Sequence, residues 1–330
     1  MSVTRENLVE LAQDEVARRT HQQTLLSSFL IGSVVQGNPF IGDTADIDLV
    51  LIHDDDLQRP REYIRLSQQV HLDVVHYSAT FFDQPRRLRV DPWLGPAIAE
   101  PGFLFDPEHF FEKVQASVRG QFHRHDFVME RALAFLNLAN QHSALMQISQ
   151  RWQKHYLMAI MLGANARLAC YNRSAAGRGT LAALRRFFQS IDEEETYYGI
   201  LQLCGLADCS SWAFDQLSSA FSSRWDQRMK GSKEPAFSRC RKEYVLGGVH
   251  GLLAQQDAPA AGWLLLSAWE ELQGTAPKRD GSGVKDEHWL GFLENTGLQQ
   301  HDRKRCKDVL ARFLRHIEEQ LRTWGKQYGI

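Results

Sequence analysis

Two aspartates separated by a single residue give this sequence its clearest chemical signal. Asp46 and Asp48 lie in residues 45–53, ADIDLVLIH, where acidic and apolar residues alternate. Such alternation predicts a β-strand that carries both carboxylates on one face. Neighbouring carboxylates repel unless a positive charge lies between them, and oxygen ligands suit Mg²⁺, which usually completes its shell with substrate phosphates. The pair therefore predicts a Mg²⁺ site that recruits a phosphorylated substrate.

A glycine–serine pair and a third aspartate supply the remaining parts of such a site. Gly32 and Ser33 follow an apolar run at residues 24–31, which predicts a strand and then a turn. Glycine lets the backbone approach a ligand closely, and serine can donate its hydroxyl and N–H to a phosphate oxygen. Asp73 lies in another alternating segment, residues 70–77, and on an adjacent strand it could face the same site.

This combination resembles the DNA-polymerase-β-like nucleotidyltransferase superfamily. Its hallmark is an apolar residue with Gly-Gly or Gly-Ser, a loop, an Asp-apolar-Asp or Asp-apolar-Glu motif, and a later strand acid. Here the order is Ile31-Gly32-Ser33, twelve residues, Asp46-Ile47-Asp48 and then Asp73. The resemblance covers residues 20–110 and is nearest to aminoglycoside and lincosamide nucleotidyltransferases, in which a helical domain follows.

The resemblance implies a role for each of these residues. Asp46 and Asp48 correspond to ligands of one or two catalytic Mg²⁺ ions, and Gly32 and Ser33 to the anchor of a nucleoside triphosphate. Asp73 corresponds either to a third metal ligand or to a general base on the acceptor hydroxyl.

The sequence departs from the family pattern at the residues after the glycine–serine pair. Many members have an arginine there, whereas this chain has Val34, Val35 and Gln36. Another cation must then contact the phosphates. Lys154 and Arg178 are the candidates, because both lie in basic stretches and Arg178 is flanked by glycines that leave it room to clamp a phosphate.

The surrounding elements predict an α+β fold with two domains. Helices are expected at 4–19 and 60–69, and strands at 24–31, 45–53, 70–77 and 103–105. Beyond about residue 108 only helical patterns follow, at 107–119, 124–149, 151–172, 180–190, 211–229, 237–255, 260–273 and 302–324, with another beginning at the acidic run 193–195. Loops are expected at 229–235 and 274–285. We predict a nucleotidyltransferase domain with a short mixed sheet at 1–110 and an all-α helical bundle that binds the acceptor at 111–330.

Composition limits the possible functions. Thirty-eight Lys and Arg against forty Asp and Glu exclude a strongly basic nucleic-acid coat protein. Five cysteines without a CxxC pair favour a reducing compartment. The first twenty residues lack an apolar signal-peptide core, and the stretch 156–166 is too short to span a bilayer. We therefore expect a cytoplasmic protein without a membrane segment.

The expected reaction is Mg²⁺-dependent transfer of a nucleoside monophosphate, most simply AMP from ATP, to a hydroxyl of a small molecule. Pyrophosphate is the leaving group. Two alternatives stay open. The acceptor could be a protein or an RNA, although nucleic acid is not favoured, or the chain could be a non-catalytic module that senses nucleotide or binds a partner, as in toxin–antitoxin systems. The sequence leaves the donor base, the acceptor and the oligomeric state open.

Overall fold

The chain forms two compact units. The computed structural model describes residues 3–21, 24–37, 39–231, 237–273 and 287–330. The first unit comprises residues 1–127 and 233–247, and the second comprises residues 128–232 and 248–330. The predicted boundary lay at 110/111, so the first unit is larger than expected and includes a segment from late in the chain.

A mixed sheet forms the centre of the first unit, as predicted. Its strands are β1 (Leu25–Ile31), β2 (Phe40–Ile41), β3 (Thr44–His53), β4 (Glu62–Arg65), β5 (Val70–Ser78) and β6 (Gly102–Phe105). The order is β4-β5-β3-β1-β6, with β2 paired to β3. Strands β3 and β5 are parallel and the other pairs are antiparallel.

Both faces of the sheet are covered by helices. On one face, Ile47, Leu49 and Leu51 of β3 pack with buried residues of α1 (Arg5–Arg19). On the other face, Val50 and Ile52 pack with apolar residues of α3 (Pro85–Val90), α4 (Leu94–Ala99) and α5 (Phe110–Arg119). Because successive side chains of a strand alternate between faces, β3 contributes to both cores at once. Each fully buried aliphatic side chain stabilises the fold by roughly 1.5–3 kcal/mol.

Helix α5 explains why the first unit extends beyond residue 110. Phe111 is fully buried and stacks on Phe29 of β1, with ring centroids 4.0 Å apart. The helix was assigned from sequence to the helical domain, but its apolar face completes the core of the sheet.

The second unit is helical throughout its described residues. Its helices are α6 (His125–Leu145), α7 (Trp152–Ala169), α8 (Thr180–Ser190), α9 (Glu194–Leu203), α10 (Phe214–Gly231), α12 (Ala258–Gln273), α13 (Glu287–Thr296) and α14 (Arg303–Gln327), together with the second half of α11 (Arg239–Ala254). Its core includes the fully buried side chains of Trp152, Trp225 and Trp269. These bounds agree with the predicted helices to within a few residues at most ends.

Several local predictions were wrong. The helix expected at 60–69 is instead strand β4, followed by a tight turn in which the Ser67 hydroxyl accepts hydrogen bonds from the N–H groups of Gln69 and Val70. Ten residues are too few for periodicity to separate a helix from a hairpin. The helices α3, α4 and α13 were not predicted, and residues 229–231 end helix α10 rather than lie in a loop. The rest of the predicted loops, 232–235 and 274–285, lies outside the described residues.

Two further expectations concern the compartment. In the part of the chain that the structure describes, no helix combines the length and apolar character that crossing a bilayer requires. All five cysteines are free thiols.

A buried histidine pair joins three strands at the end of the sheet. His53 Nε2 lies 2.9 Å from His76 Nδ1, and His76 Nε2 lies 2.8 Å from a Glu62 carboxylate oxygen. Arg19 of α1 holds the same carboxylate with two hydrogen bonds of 2.9 Å. If both imidazoles are neutral, His53 Nε2–H can donate to His76 Nδ1 and His76 Nε2–H to Glu62, so the chain of hydrogen bonds is complete without a proton on either ring.

Protonation of this pair should destabilise the fold. Burial lowers the pKa of His53 to about 4, helped by Arg59 and His76 and opposed by Asp55 and Asp54. An unfolded histidine titrates near 6.5, so the unfolded chain binds the proton first as pH falls. The contribution of neutral His53 to the free energy of unfolding is therefore complete above about pH 6.5 and is lost as the pH falls towards 4. We expect the free energy of unfolding to fall by about 1 kcal/mol per pH unit in this window.

Urea unfolding of wild type, His53→Gln and His123→Gln between pH 7.5 and 4.5 tests this expectation. The His53 variant should show a flatter dependence on pH, although a lower absolute stability, because it has lost the buried titrating group. His123 is exposed, so its variant should follow the wild type. Equal slopes for all three proteins would contradict the assignment.

Candidate functional site

A glycine turn brings the backbone against the second aspartate. Strand β1 ends at Ile31, which is the register partner of Asp48 on β3. Gly32 follows with φ +73° and ψ −150°, a conformation that is almost restricted to glycine. A Cβ at this position would lie 2.3 Å from Asp48 Oδ2. Glycine is therefore required by both the turn and the approach, and Ser33 comes next, at the start of the one-turn helix α2 (Ser33–Gln36).

The parallel pairing of β3 and β5 gathers the acidic residues on one face. Asp48 is the register partner of Asp73, and Asp46 is the partner of His71. The residue between the two motif aspartates, Ile47, is fully buried on the opposite face. Asp46 and Asp48 are half-buried. The strands thus place the three predicted aspartates on the same side of the sheet.

Asp73 is held by an arginine that the sequence reasoning did not single out. Arg61 Nε lies 2.5 Å from Asp73 Oδ1, and a terminal guanidinium nitrogen lies 2.6 Å from Oδ2. The aspartate side chain is 9% exposed and the arginine side chain 51%. The hydrogen bond to Asp73 raises the pKa of Arg61, and the charge on Asp48 acts in the same direction. Arg61 therefore interacts electrostatically with two of the three carboxylates, those of Asp73 and Asp48.

This ion pair bears directly on the two roles considered for Asp73. A guanidinium that donates to both oxygens of a carboxylate occupies one lone pair on each, so Arg61 competes with a metal ion or a proton for Asp73. Within the described ranges, no group of three or more His, Cys, Asp or Glu side chains is arranged to hold a metal ion. The three aspartates share a face without forming a closed cluster, and the role of Asp73 stays a prediction.

The residues present nevertheless fit a magnesium ion that shares its ligands with a substrate. Mg²⁺ is typically bound by one or two carboxylates, with waters and substrate phosphates filling the other positions. Asp46 and Asp48 supply two carboxylates from one strand, and the absence of a Cβ at Gly32 lets the turn approach Asp48 Oδ2.

A second arginine reaches this region from late in the chain. Tyr63 on β4 is the register partner of Asp73 and lies between two guanidinium groups, at 5.6 Å from Arg61 and 4.7 Å from Arg241. Tyr244, which lies with Arg241 on helix α11, contacts the His71 ring edge-on, with ring centroids 4.2 Å apart. The first half of α11 therefore contributes residues to the acidic face, and Arg241 adds positive charge beside it.

The two cations predicted from sequence belong to the second unit. Lys154 is exposed on α7, and Arg178 is almost fully buried in a turn at Gly177–Gly179. Both belong to the second unit, so their part in binding phosphate stays a prediction. Arg61 had a sequence signal, since it lies in the basic segment 59–65, whereas nothing in the sequence connected Arg241 with the aspartates.

Comparison with known proteins adds little to this geometry. No protein-family model and no curated protein matches the chain. Among solved structures, the chain is similar to a nucleotidyltransferase-like protein from Exiguobacterium sibiricum 255-15, at 14% sequence identity and over 90% of this chain and 91% of that one. The TM-score is 0.30, which is too low to argue for a common fold. The functional interpretation therefore depends on the residues themselves.

Substitution of two neighbouring glycines tests the close approach at Asp48. Gly32 and Gly37 both have positive φ, but a Cβ on Gly37 would meet no atom within 4 Å. We expect Gly37→Ala to lower the free energy of unfolding by about 1 kcal/mol and Gly32→Ala by about 2–4 kcal/mol, because only the second adds a clash to the backbone strain.

Denaturant unfolding of both variants, and of Gly32→Ala combined with Asp48→Ala, measures the difference. In the Asp48→Ala background the cost of Gly32→Ala should fall towards that of Gly37→Ala. If the two glycines cost the same in the wild-type background, the predicted contact between Gly32 and Asp48 is wrong.

Proposed function

We propose that this chain is a nucleotidyltransferase that transfers a nucleoside monophosphate, most simply AMP from ATP, to a hydroxyl of a small molecule and releases pyrophosphate. The observation that carries the proposal is the contact between the Gly32 turn and Asp48, with Asp46 on the same face of β3. It unites in space the two halves of the motif that twelve residues separate in sequence.

Each residue then has a distinct task. Asp46 and Asp48 hold one or two Mg²⁺ ions, and Ser33 donates its hydroxyl and N–H to a phosphate oxygen. The ion, when bound, would neutralise the charge that develops on the departing pyrophosphate.

Arg61 and Arg241 are our candidates for the phosphate-binding cation that the residues after Ser33 do not supply. Both belong to the first unit and flank Tyr63 beside the acidic face. Guanidinium groups match phosphate oxygens in a two-pronged geometry. Lys154 and Arg178 remain further candidates.

The reaction needs one proton to leave the acceptor. The acceptor oxygen attacks the α-phosphorus, the bond from that phosphorus to the pyrophosphate oxygen breaks, and the hydroxyl proton passes to a nearby base. Asp73 can serve as this base once Arg61 has left its carboxylate. Arg61 is half-exposed, so its guanidinium can turn from Asp73 to a phosphate group and remain in contact with water. The Asp73 side chain, which is 9% exposed, then loses its counter-charge and can take the acceptor proton.

A second candidate function is favoured by the same ion pair. If Arg61 stays on Asp73, the acceptor has no base at this position, and the chain would bind nucleotide without turnover as a sensing or partner-binding module. Nucleotide binding that needs Asp46 and Asp48, without transfer to any acceptor, would favour this alternative.

We place either activity in the cytoplasm. All five cysteines are free thiols, and four of them are buried. A reducing compartment keeps cysteines in this thiol state.

Calorimetric titration of the four nucleoside triphosphates, with and without Mg²⁺, tests the metal site. One triphosphate should bind in a Mg²⁺-dependent manner, and Asp46→Asn or Asp48→Asn should weaken that binding by more than about 100-fold. Loss of a metal ligand should weaken binding more than loss of a residue that only supports such a ligand.

The matched control is Asp43→Asn, which removes an exposed carboxylate from the turn just before β3. It should bind the triphosphate as the wild type does. Full retention of Mg²⁺-dependent binding by the Asp46 or Asp48 variant would overturn the metal site, and with it the proposed reaction.

Asp73→Asn separates the two roles of the third aspartate. If Asp73 is the base, transfer should fall by about 100-fold or more while the affinity for the Mg²⁺–triphosphate stays within a few fold. If it is a ligand, affinity and transfer should fall together. Single-turnover transfer of a labelled nucleotide and calorimetry on the same variant measure both. Unchanged transfer would show that Asp73 is only the structural partner of Arg61.

A further inference from the structure

The second unit contains a cavity that the proposed reaction does not use. Its volume is about 590 Å³, which lies within the range of ordinary small-molecule sites. Its lining comes from helices α9 and α14, from Tyr156 of α7 and from the turn after α13. The Tyr156 hydroxyl donates a hydrogen bond to the Leu203 carbonyl and so connects α7 with the end of α9.

A glycine within helix α9 belongs to the lining of this cavity. Gly199 lies inside Glu194–Leu203 and lines the cavity, and a Cβ on it would meet no atom within 4 Å. A glycine inside a helix costs about 0.5–1 kcal/mol relative to alanine. No atom of the fold occupies the place of this Cβ, so a larger side chain can be introduced here without a clash. Such a side chain would occupy the cavity.

Two arginines and one carboxylate are the charged groups that line the cavity. Arg305 and Arg312 come from α14 and Glu195 comes from α9, and His316 of α14 also belongs to the lining. Arg305 already bonds the Gly297 carbonyl and Asp302. Arg312 makes no hydrogen bond or ion pair with any residue in the described ranges, so its guanidinium is available to a ligand.

The lining also contains apolar side chains, next to the polar Thr196, Gln202 and Thr296. Leu203 and Leu298 lie on one side, and Val309 and Phe313 lie on the α14 side, in the same stripe as Arg312. Cys306 adds a buried thiol whose pKa is raised to about 11 by burial, so it stays neutral. An apolar lining with a few convergent polar groups is typical of sites for organic molecules.

We infer that this cavity binds a small organic anion, with a carboxylate, sulfonate or phosphate group on Arg312 and an apolar body of one or two rings against Phe313 and Leu203. All the residues that line the cavity belong to the second unit, and the anion site is inferred from them without use of the proposed transfer of nucleotide. Its charge opposes a cationic ligand, although the acidic run 193–195 lies nearby, because Glu193 is paired with Arg167.

Fluorescence titration of the full chain with 8-anilinonaphthalene-1-sulfonate tests the cavity. Wild type should bind one molecule of this probe. Gly199→Leu should weaken binding at least tenfold, because the leucine fills the space, and should raise the melting temperature. Gly291→Leu is the matched control, since Gly291 also lies inside a helix with no atom near its Cβ but does not line the cavity. It should gain stability and keep the probe.

A second pair of variants tests the charge and remains informative if Gly199→Leu fails to fold. Arg312→Gln should weaken binding of the sulfonate about tenfold, as expected for one lost charge-assisted hydrogen bond. It should leave unchanged the weaker binding of N-phenyl-1-naphthylamine, a neutral analogue. Arg315→Gln, which removes an exposed arginine outside the cavity, should have no effect.

Two results would overturn the inference. Equal sulfonate binding by wild type and by both Gly199→Leu and Arg312→Gln would place the probe elsewhere on the surface. Binding of the neutral analogue as tightly as the sulfonate, with no response to Arg312→Gln, would show that the cavity does not select anions.

Discussion

The repulsion among three carboxylates on one face of the sheet is the constraint on which the described site depends. The parallel register of β3 and β5 places Asp73 opposite Asp48, with Asp46 two residues away. Such a group is tolerable only with compensating positive charge. Arg61 supplies it for Asp73, and its charge also acts on Asp48. In the function that we propose, a Mg²⁺ ion would bind near Asp46 and Asp48, and a phosphate would draw Arg61 away from Asp73.

The rest of the first unit can tolerate this charged face because the remaining sheet is firmly packed. Strand β3 buries Ile47, Leu49 and Leu51 on one side and Val50 and Ile52 on the other. The charged positions are confined to its first half, beside the turn at Gly32. At the other end of the strand, His53 sits in a closed chain of hydrogen bonds on the opposite face. The two polar regions are thus separated by the apolar middle of β3.

Much of this arrangement could be predicted from the sequence, and the exceptions have physical reasons. Strands β3 and β5 carry long period-two patterns, so their faces followed from alternation, and the contact of Gly32 with Asp48 agrees with the motif. Strand β4 is only four residues long, and its identity depends on pairing with β5, which no local pattern reveals. This pairing brings Arg61 to Asp73, and helix α11 brings Arg241 to Tyr63. The basic segment 59–65 was visible in the sequence, but these two contacts depend on tertiary structure.

The most direct test of the account is the anomalous diffraction of Mn²⁺ in crystals grown with a non-hydrolysable nucleoside triphosphate. The account predicts a manganese peak coordinated by oxygens of Asp46 and Asp48, a phosphate oxygen at Ser33, and Arg61 turned from Asp73 towards the phosphates. A nucleotide bound without metal, or a manganese ion at any other place while Asp46 and Asp48 hold none, would contradict it.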